Sequence, residues 1–400
     1  MRAFEPTAMA ERRLRLGVAG LGRAASSMLP SLAAHPHVDI VAAADQLPLA
    51  RARFEADFGG RTWESAEALA GDPGIDAIYV ATPHQCHVSD VVAAAAHGKH
   101  VLVEKPMALS VEECAAMTDA ARASGIALVV GHTHAFDPVV RTMRDVIASG
   151  ELGALRMIVN VAYTDFLYRP RRPEELDSAR GGGIMYNQVP HQIEIVRALD
   201  GGPLRSVRAA SGVWDRNRPT EGAMTALLEF ASGVAASLTY SGYDHFDSDE
   251  LAFWIAESGA DKSPAHGAAR RALGARSAGD EARMKAESAF AGRGVRLAET
   301  PAHQPHFGML IASCERGDLR PSADGVLVYG DDGVREIPLP RGRTFPNKDG
   351  VIDELYDAVV RGIAPLHDAA WGTATVAAAL ALVQSARERR EIMLEGADVR

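Results

Sequence analysis

The chain has few of the features that mark secreted, membrane-bound or nucleic-acid-binding proteins. Its 400 residues include three cysteines, and their scattered positions provide no disulfide framework. No apolar run approaches the roughly 20 residues that cross a bilayer, and the segment Met1–Arg13 lacks the apolar core of a signal peptide. The formal net charge of −10 provides no basic field for nucleic acid or anionic membranes. These absences predict a cytoplasmic protein with no nucleic-acid or membrane partner and a short disordered lead-in.

The length of the chain favours two domains, because single cores stop growing near about 250–300 residues. Up to about residue 134, apolar strand patterns alternate with helical patterns, which is typical of a doubly wound parallel sheet. Longer strand patterns joined by hairpin turns follow, which indicates an open, mostly antiparallel sheet. The predicted fold class is therefore α/β, with a dinucleotide-binding domain over residues 1–134 and an α+β domain over residues 135–400.

Two segments of the second domain carry more specific expectations. The apolar stretch Leu251–Glu257 is predicted to be a strand of the open sheet. Residues from about 262 to 298 are rich in Ala, Arg and Gly and show little apolar periodicity. They are predicted to form an insertion that contains some helix.

The first strand–helix–strand unit contains a glycine turn typical of dinucleotide binding. Gly20 permits the tight turn, Gly22 lets the backbone approach a pyrophosphate, and Ala25 is small enough for close helix–sheet packing. The helix that begins near Arg23 offers N–H groups to the phosphates. Asp45 is placed to accept hydrogen bonds from the adenosine ribose. The alternative is a doubly wound domain whose first turn is glycine-rich for structural reasons.

The same acid bears on the choice of dinucleotide. The negative charge of Asp45 would repel a 2′-phosphate, and Gln46 supplies no arginine to bind one. NAD is therefore expected rather than NADP. Arg51 and Arg53 lie a turn or more further along the chain, and because they could bind a 2′-phosphate, NADP stays an alternative.

A lysine follows another predicted strand. Pro106 keeps the residue before it out of helical geometry, so Lys105 should project from extended backbone. Beside a dinucleotide, its ammonium group can hydrogen-bond the alcohol oxygen under oxidation, stabilise the developing alkoxide and relay the proton. The alternative is a solvated surface lysine.

A triple glycine, Gly181–Gly183, precedes a helical pattern that contains Asn187 and His191. Glycines admit close approach by a ligand or another backbone segment. Asn187 and His191 are four residues apart, so they share one face if the helix has begun. Histidine titrates near neutrality, which suits proton transfer. A structural hydrogen-bonding role for His191 is the alternative.

These motifs, in this order, resemble the Gfo/Idh/MocA oxidoreductase family. The glycine turn, Ala81-Thr82-Pro83 with His87 after it, Glu104-Lys105-Pro106 and the triple glycine leading to His191 all match. The resemblance spans nearly the whole chain, the insertion excepted. It implies an N-terminal Rossmann domain, a C-terminal domain whose open sheet serves oligomerisation in a homodimer or homotetramer, and NAD(P)-dependent oxidation of an alcohol. It also implies that Lys105 and His191 lie beside the nicotinamide.

The chain departs from the family pattern at three places. The aspartate that usually stands four residues before the histidine is Asn187, which removes a partner that would raise the basicity of His191. The asparagine that usually follows Thr-Pro is His84, which we expect to line the pocket. The usual Tyr/Phe-Asn-x-Arg run is His132–Ala135, so the usual asparagine for sugar recognition is missing. His134 is expected to line the pocket instead.

The stretch Tyr163–Pro173 holds three arginines and three aromatic residues within ten positions. Arginine forks bind carboxylates bidentately, and aromatic faces pack on a ring. A surface loop with solvated arginines is the alternative. Residues Tyr163–Glu175, with Tyr240–Asp247 and His306–Gly308, resemble the bacterial phthalate 4,5-cis-dihydrodiol dehydrogenases of the same family.

The histidines near predicted strand ends raise the possibility of a metal site. His84, His87, His132 and His134 are the candidates, but no carboxylate-rich or CxxC pattern accompanies them. No metal is therefore expected.

The sequence predicts an NAD-dependent dehydrogenase that oxidises an anionic cyclic cis-diol, most specifically a phthalate-type 4,5-cis-dihydrodiol, to the catechol (4,5-dihydroxyphthalate). The alternatives are a sugar or cyclitol dehydrogenase, a non-catalytic nucleotide-binding protein, and a metal-dependent hydrolase or lyase. The predicted catalytic residues are Lys105 and His191. The predicted cofactor-binding residues are Gly20, Gly22, Arg23, Ala25, Asp45, Thr82, Pro83, His84, His87, Glu104 and Lys105. The predicted substrate-binding residues are Tyr163, Tyr168, Arg169, Arg171, Arg172, Asn187 and His134.

Overall fold

The computed structural model describes residues 12–275, 278–293, 300–340 and 346–394. Most of the predicted N-terminal lead-in and parts of the insertion, 276–277 and 294–299, lie outside these ranges. The first sheet contains β1 (Leu14–Ala19), β2 (Val38–Ala44), β3 (Arg61–Trp63), β4 (Ala77–Val80), β5 (His100–Glu104) and β6 (Leu128–Gly131). These strands are all parallel, in the order β3-β2-β1-β4-β5-β6.

Helices connect these strands and cover both faces of the sheet. They are α1 (Arg23–Ala34), α2 (Pro48–Phe58), α3 (Ala66–Ala70), α4 (His87–Ala96), α5 (Val111–Ser124) and, after the last strand, α6 (Pro138–Ser149). Strand β1 pairs with both β2 and β4, so the strand order reverses there. In a doubly wound sheet, ligands bind in the crevice beyond the carboxyl ends of the strands at this point.

The second sheet has nine strands in the order β14-β13-β12-β11-β7-β10-β9-β8-β15. They are β7 (Leu155–Tyr163), β8 (Leu204–Gly212), β9 (Ala223–Phe230), β10 (Ala235–Ser241), β11 (Met309–Cys314), β12 (Gly317–Pro321), β13 (Gly325–Gly330), β14 (Gly333–Pro338) and β15 (Ile392–Met393). Only β7 and β10 pair in parallel among these described strands. The predicted fold class, a Rossmann domain followed by an open, mostly antiparallel sheet, is confirmed. The exact division at residue 134 stays a prediction.

The remaining helices are α7 (Gly183–Asn187), α8 (Val189–Asp200), α9 (Ala268–Gly274), α10 (Ala278–Ser288), α11 (Phe290–Arg293), α12 (Pro346–Tyr356), which a π-helical turn extends over Asp357–Arg361, and α13 (Ala369–Glu388). Some of them return to the first sheet. Ile352 and Leu355 of α12 are fully buried in the core under β1, together with Phe290 of α11. Val376 of α13 belongs to the core on the other face of that sheet. The late part of the chain therefore completes the layers around the first sheet.

Helix α13 is long and apolar enough, by length and composition, to cross a membrane, but half of it is buried within the protein. Arg197 of α8 lies over the Trp371 ring at 3.9 Å and donates a hydrogen bond to the Trp371 carbonyl at 2.9 Å. The Asp368 side chain caps the helix by accepting from the Trp371 N–H. These are the contacts of a core helix that ties α8 to the first sheet.

The strand predicted over Leu251–Glu257 is wrong. The structure has a 3₁₀ turn over Ser248–Ala252, followed by Phe253 and Trp254 with positive φ angles of 61° and 58°. The Asp247 carboxylate caps the turn by accepting from the Asp249 N–H at 3.0 Å. The apolar composition favours a strand, but an aspartate cap favours a turn and decides the local structure.

Candidate active site

A cleft of about 1810 Å³ runs from the glycine turn of the first sheet to the ends of β7 and α8. Its walls include most of the residues predicted as functional. Those that line it are Gly20, Gly22, Arg23, Asp45, Thr82, Pro83, His84, Glu104, Lys105, His134, Arg169, Arg171, Arg172, Asn187 and His191. The structure therefore brings together residues that lie as much as 171 positions apart, from Gly20 to His191.

The glycine turn is built to hold a dinucleotide. Gly20 has a φ of +87°, and a Cβ there would lie 2.8 Å from both the Ala81 carbonyl oxygen and the Thr82 nitrogen. A Cβ at Gly22 would meet nothing within 4 Å, so this residue leaves open space beside the helix. No side chain caps α1 and no acid lies in its first turn, so its N–H groups suit a pyrophosphate. Ala25 is fully buried and packs in the core, as its size predicted, rather than lining the cleft.

Asp45 lies at the end of β2 beside this turn. Its carboxylate accepts hydrogen bonds from the Leu21 N–H at 2.7 Å and the Leu47 N–H at 2.8 Å. The guanidinium of Arg51 donates to the Asp45 carbonyl at 2.7 Å and to the Glu64 carboxylate at 3.1 Å. The two carboxylates that line this end of the cleft, Asp45 and Glu64, disfavour a 2′-phosphate. The residues present fit NAD.

Thr82, Pro83 and His84 line the cleft after β4, but His87 does not. The His87 ring is fully buried and hydrogen-bonds the carbonyls of Thr82 at 3.0 Å, Pro106 at 3.1 Å and Met107 at 3.2 Å. It joins the loops after β4 and β5 and shapes the site without reaching it. Burial lowers the pKa of His84 to about 3, so this cleft histidine is neutral at neutral pH.

Lys105 enters the cleft from the end of β5. Its Nζ donates a hydrogen bond to the backbone carbonyl of Asn187 at 2.8 Å. Burial lowers the pKa of Lys105, although the carboxylates of Glu104, Glu257 and Glu194 oppose the shift. A lysine with a lowered pKa gives up its proton more readily than an exposed one, which suits proton relay.

The Asn187 side chain has a different position from the one expected. Helix α7 ends at Asn187 and α8 begins at Val189, with Gln188 at a φ of −120° between them, so Asn187 and His191 share no continuous helical face. The Asn187 amide donates to the carbonyls of Gly181 at 3.1 Å and Gly183 at 2.8 Å. It stabilises the glycine turn, and its own carbonyl holds Lys105.

A buried carboxylate that the sequence analysis missed faces His191. Glu194 follows one turn later on α8, and its Oε2 lies 3.9 Å from His191 Nδ1 and 3.3 Å from His132 Nδ1. Its Oε1 accepts from the Ala135 N–H at 2.8 Å. The signal was present in the sequence, because residues three apart on a helix lie on one face.

Two histidines in edge contact differ in charge. The rings of His134 and His191 lie 4.7 Å apart, centre to centre. Burial, with the nearby Lys105 charge, lowers the pKa of His191 to about 3. Burial would also lower the pKa of His134, but the Asp137 carboxylate, 2.7 Å from its Nδ1, and Glu257 raise it to about 10. At neutral pH, His191 is therefore neutral and His134 carries a proton.

The three arginines of the aromatic loop all line the cleft. Arg169 Nε donates to Asp165 at 2.7 Å, and Arg172 pairs with Glu174 at 3.2 Å. The Arg171 guanidinium lies 3.8 Å from the centre of the Phe166 ring and donates to the Phe166 carbonyl at 2.7 Å. Burial lowers the pKa of Arg171 to about 10, so it is still a cation at neutral pH.

Tyr163 and Tyr168 do not line the cleft, in contrast to the prediction. The Tyr168 hydroxyl donates to Asp215 at 2.7 Å, and its ring lies under Arg270 at 4.5 Å. The Tyr163 ring contacts Phe246 edge-on at 5.7 Å. Tyr163 ends β7, Tyr168 ends the 3₁₀ turn over Phe166–Tyr168, and Phe166 is the aromatic residue of this stretch that lines the cleft.

Other cleft residues come from parts of the chain where sequence motifs gave no signal. Glu257 follows the aspartate-capped turn, and Lys348 of α12 donates to the Ser27 carbonyl on α1 at 2.6 Å. Lys285 reaches the cleft from α10. Within the ranges that the structure describes, no group of three or more His, Cys, Asp or Glu side chains is arranged to hold a metal ion.

An uncapped helix beyond a glycine turn, with a buried lysine and a neutral histidine in the same cleft, defines a dinucleotide-dependent oxidoreductase. Family models agree with this class. Residues 14–132 match the oxidoreductase family with an NAD-binding Rossmann fold, and residues 140–258 match the GFO/IDH/MocA C-terminal domain. The chain belongs to the Gfo/Idh/MocA oxidoreductase family, and its first domain is an NAD-binding Rossmann domain.

Individual proteins and solved structures of this family are also similar to the chain. The chain is 39% identical over 387 residues to a 1-carboxy-3-chloro-3,4-dihydroxycyclohexa-1,5-diene dehydrogenase of Comamonas testosteroni, covering 94% of this chain and 95% of that one. It is 28% identical over 259 residues to a scyllo-inositol 2-dehydrogenase (NAD⁺) of Bacillus subtilis, covering 62% and 73%. A crystal structure assigned as a dehydrogenase of Bordetella bronchiseptica RB50 superposes with a TM-score of 0.90 at 44% identity, covering 96% of this chain and 100% of that chain. Relatives of this kind are named dehydrogenases and reductases, and the chain is an enzyme of that type.

The charge on His134 leads us to expect that the free energy of unfolding depends on pH. Because the folded-state pKa is raised to about 10, the stabilisation by Asp137 is fully present below about pH 6.5, the ordinary histidine value, and is lost as the pH rises through 10. Asp137→Asn should cost about 3–5 kcal/mol of unfolding free energy at pH 6, because it leaves a buried charge without its partner. Chemical denaturation from pH 6 to 10 should show the gap between variant and wild type closing.

Asp119→Asn is the matched control. Asp119 pairs with Arg122 at 2.6 Å on the surface of α5, with 66% of its side chain exposed. This change should cost less than about 1 kcal/mol at every pH. A pH-independent loss at Asp137 would contradict the assigned charge state of His134.

Proposed function

We propose that this enzyme oxidises an anionic cyclic cis-diol with NAD, most specifically a phthalate-type 4,5-cis-dihydrodiol to 4,5-dihydroxyphthalate. The observation that carries the proposal is the presence of two largely buried cations, Arg169 and Arg171, in the same cleft as Lys105. Arginine forks in a half-buried site bind carboxylates strongly. The Comamonas relative supports the substrate class, because its name describes a carboxylated cyclohexadiene with adjacent hydroxyl groups.

In this mechanism, bound NAD supplies a hydride acceptor for the ring carbon that bears the hydroxyl. Lys105 hydrogen-bonds that hydroxyl and stabilises the oxygen as negative charge develops on it. The backbone carbonyl of Asn187 holds the ammonium group in place. As the Lys105 ammonium group passes one of its own protons on, it takes up the hydroxyl proton, and the resulting hydroxy-ketone enolises to the aromatic catechol, which makes the overall step strongly downhill.

His191, which is neutral at neutral pH, or a water molecule relays that proton. The Glu194 carboxylate faces Nδ1, which favours a proton on that nitrogen and leaves Nε2 as the acceptor. In this way Glu194 orients the ring in place of the aspartate that Asn187 replaces. The protonated His134 beside it adds positive charge near the substrate carboxylates.

A sugar or cyclitol dehydrogenase is the second candidate. The cleft carboxylates of Asp165 and Glu257 could accept hydrogen bonds from neutral hydroxyl groups, and the Bacillus subtilis relative is named for an inositol. That enzyme would reduce NAD with neutral polyols and would be indifferent to the loop arginines. A screen of NAD reduction over carboxylated dihydrodiols with one or two carboxylates, inositols and aldoses separates the two candidates.

Removal of the proposed catalytic ammonium group should stop turnover. Lys105→Ala should lower kcat by at least about 10²–10³-fold, the usual effect of losing one transition-state hydrogen-bond donor. NAD affinity, measured by fluorescence titration, should stay within a few-fold. Lys99→Ala, which lies outside the cleft, should leave both quantities unchanged. Normal turnover by the Lys105 variant would exclude the assigned role.

Loss of the arginine charges should raise KM for a carboxylated diol. Arg169→Ala or Arg171→Ala should raise it about 10–100-fold, since a hydrogen bond to a charged group contributes about 1.5–3 kcal/mol. Arg172→Ala should have a smaller effect because 45% of its side chain is exposed. A neutral cis-diol without carboxylates is the control substrate, and its KM should not change. An unchanged KM in all three variants would show that the arginines do not bind the substrate.

The second sheet supports a proposal about assembly and location. Met157 of β7 and Leu227 of β9 are 47% and 54% exposed and lie on the same outer face of the sheet, on the two strands that flank β10, across from the face that the helices cover. We infer that this face pairs two subunits in a homodimer or homotetramer, as the family resemblance implies, and we propose a cytoplasmic location from the scattered cysteines. Sedimentation analysis of the purified enzyme measures the assembly, and a monomer at micromolar concentration would contradict it.

A further inference from the structure

Helices α10 and α11, which lie within the predicted insertion, form part of the wall of the cofactor cleft. Six of their residues line it, Ala282, Lys285, Ala286, Glu287, Ala291 and Gly292, and so does Ala289 between the two helices. Helix α11 packs beside α1 and α2, the two helices that flank the dinucleotide end of the cleft. We call α10 and α11 together the clasp.

The clasp is fastened on both sides of the cleft. On the Rossmann side, Phe290 is fully buried in the core under the first sheet, with its ring 6.5 Å from that of Phe58. On the other side, the Glu281 carboxylate accepts two hydrogen bonds from Arg218, at 2.6 and 2.9 Å, and one from the Arg171 N–H at 2.7 Å. The clasp therefore spans the cleft and contacts both the Rossmann domain and the second domain.

Lys285 is the cation that the clasp brings into the cleft. Its Nζ lies 2.6 Å from a Glu175 oxygen, and only 15% of its side chain is exposed. Burial lowers the pKa of Lys285, Glu175 opposes that shift, and the charges of Arg171 and Arg23 add to it. Lys285 and Arg23, the first residue of α1, line the same cleft as the glycine turn.

Positive charge exceeds negative charge around this lysine. The Glu175 carboxylate is shared among Lys285, Arg171 at 3.8 Å and Arg172 at 3.5 Å. Glu174 adds one further negative charge, through its pair with Arg172. Three cations thus face two carboxylates, next to the uncapped N-terminus of α1. A pyrophosphate carries two negative charges, and it would be attracted both by this excess of one positive charge and by the uncapped N–H groups of α1.

We propose that the clasp lies over the bound dinucleotide and that Lys285 binds its pyrophosphate. The inference rests on NAD binding, which does not depend on the proposed diol substrate. It assigns the insertion a role in cofactor retention, because a ligand held between two fastened walls leaves more slowly than one in an open groove. Lys285 acts here as a binding residue and takes no part in hydride transfer.

Equilibrium binding without substrate tests the role of Lys285. Lys285→Ala should weaken NADH binding, measured by fluorescence titration, about 10–100-fold, and ADP-ribose, which has the same pyrophosphate, should lose affinity equally. Lys285→Arg should restore most of the affinity. Arg283→Ala is the matched control, since Arg283 lies on the same helix with 63% of its side chain exposed, and it should change the affinity less than two-fold.

Three outcomes would overturn this assignment. The first is NADH affinity that is unchanged in Lys285→Ala. The second is an equal loss in Arg283→Ala, which would indicate general damage to α10. The third is a KM increase for the diol with normal NADH affinity, which would place Lys285 at the substrate instead and leave the proposed diol activity intact.

The release rate tests the clasp. Glu281→Gln weakens the bond to Arg218 without touching the first-sheet core, and Phe290→Ala removes the anchor on the other side. Each should speed NADH dissociation in stopped-flow displacement by about ten-fold, while circular dichroism confirms that the variant is folded. If Phe290→Ala fails to fold, the NADH dissociation rate of Glu281→Gln alone tests whether the clasp retains the cofactor. An unchanged dissociation rate in the folded variants would show that the clasp does not retain the cofactor.

Discussion

The cleft depends on the close approach of two strand ends in the first sheet. Gly20 turns out of β1 in a left-handed conformation, and the start of the loop after β4 lies where a Cβ would be. This contact opens the N-terminus of α1 towards the crevice where the strand order reverses. The same crevice receives Lys105 from the end of β5, and the second sheet supplies the opposite wall. The dinucleotide site and Lys105 can therefore share one cleft because Gly20 has no side chain to separate the two strand ends.

Burial then sets the charges within the cleft. The rings of His134 and His191 are in contact, yet they carry different charges. Asp137 keeps His134 protonated, while burial and the charge of Lys105 keep His191 neutral. Low water content strengthens both effects, because an unscreened partner charge and a desolvation cost each grow as the dielectric falls. The replacement of an aspartate by Asn187 does not leave His191 without a carboxylate, since Glu194 faces it from one turn further on. The site therefore keeps a carboxylate near His191, 3.9 Å from its Nδ1, although the local motif has none.

Patterns that depend on neighbouring residues were readable in the sequence. The glycine turn, the acid at Asp45, the lysine before Pro106 and the order of the two sheets all follow from short-range periodicity and spacing. The strand expected over Leu251–Glu257 failed because an aspartate cap outweighed apolar composition. Tyr163 and Tyr168 were expected in the cleft with the arginines, but Tyr163 contacts Phe246 from the end of β7 and Tyr168 donates to Asp215 from a 3₁₀ turn. Composition identifies which residue types a loop offers, and backbone geometry selects the ones that face the site.

The sequence by itself determined the parallel sheet, the nucleotide turn, the preference for NAD and the lysine that enters the cleft, because each depends on contacts within one strand–loop–helix unit. Only the tertiary structure decided which distant side chains complete the site. Glu257, Lys285 and Lys348 have no motif around them, and each reaches the cleft through packing of a helix or turn against a remote element. It also decided the charge of each histidine, because the burial that lowers the pKa of His191 and that strengthens the effect of Asp137 on His134 exists only in the folded protein.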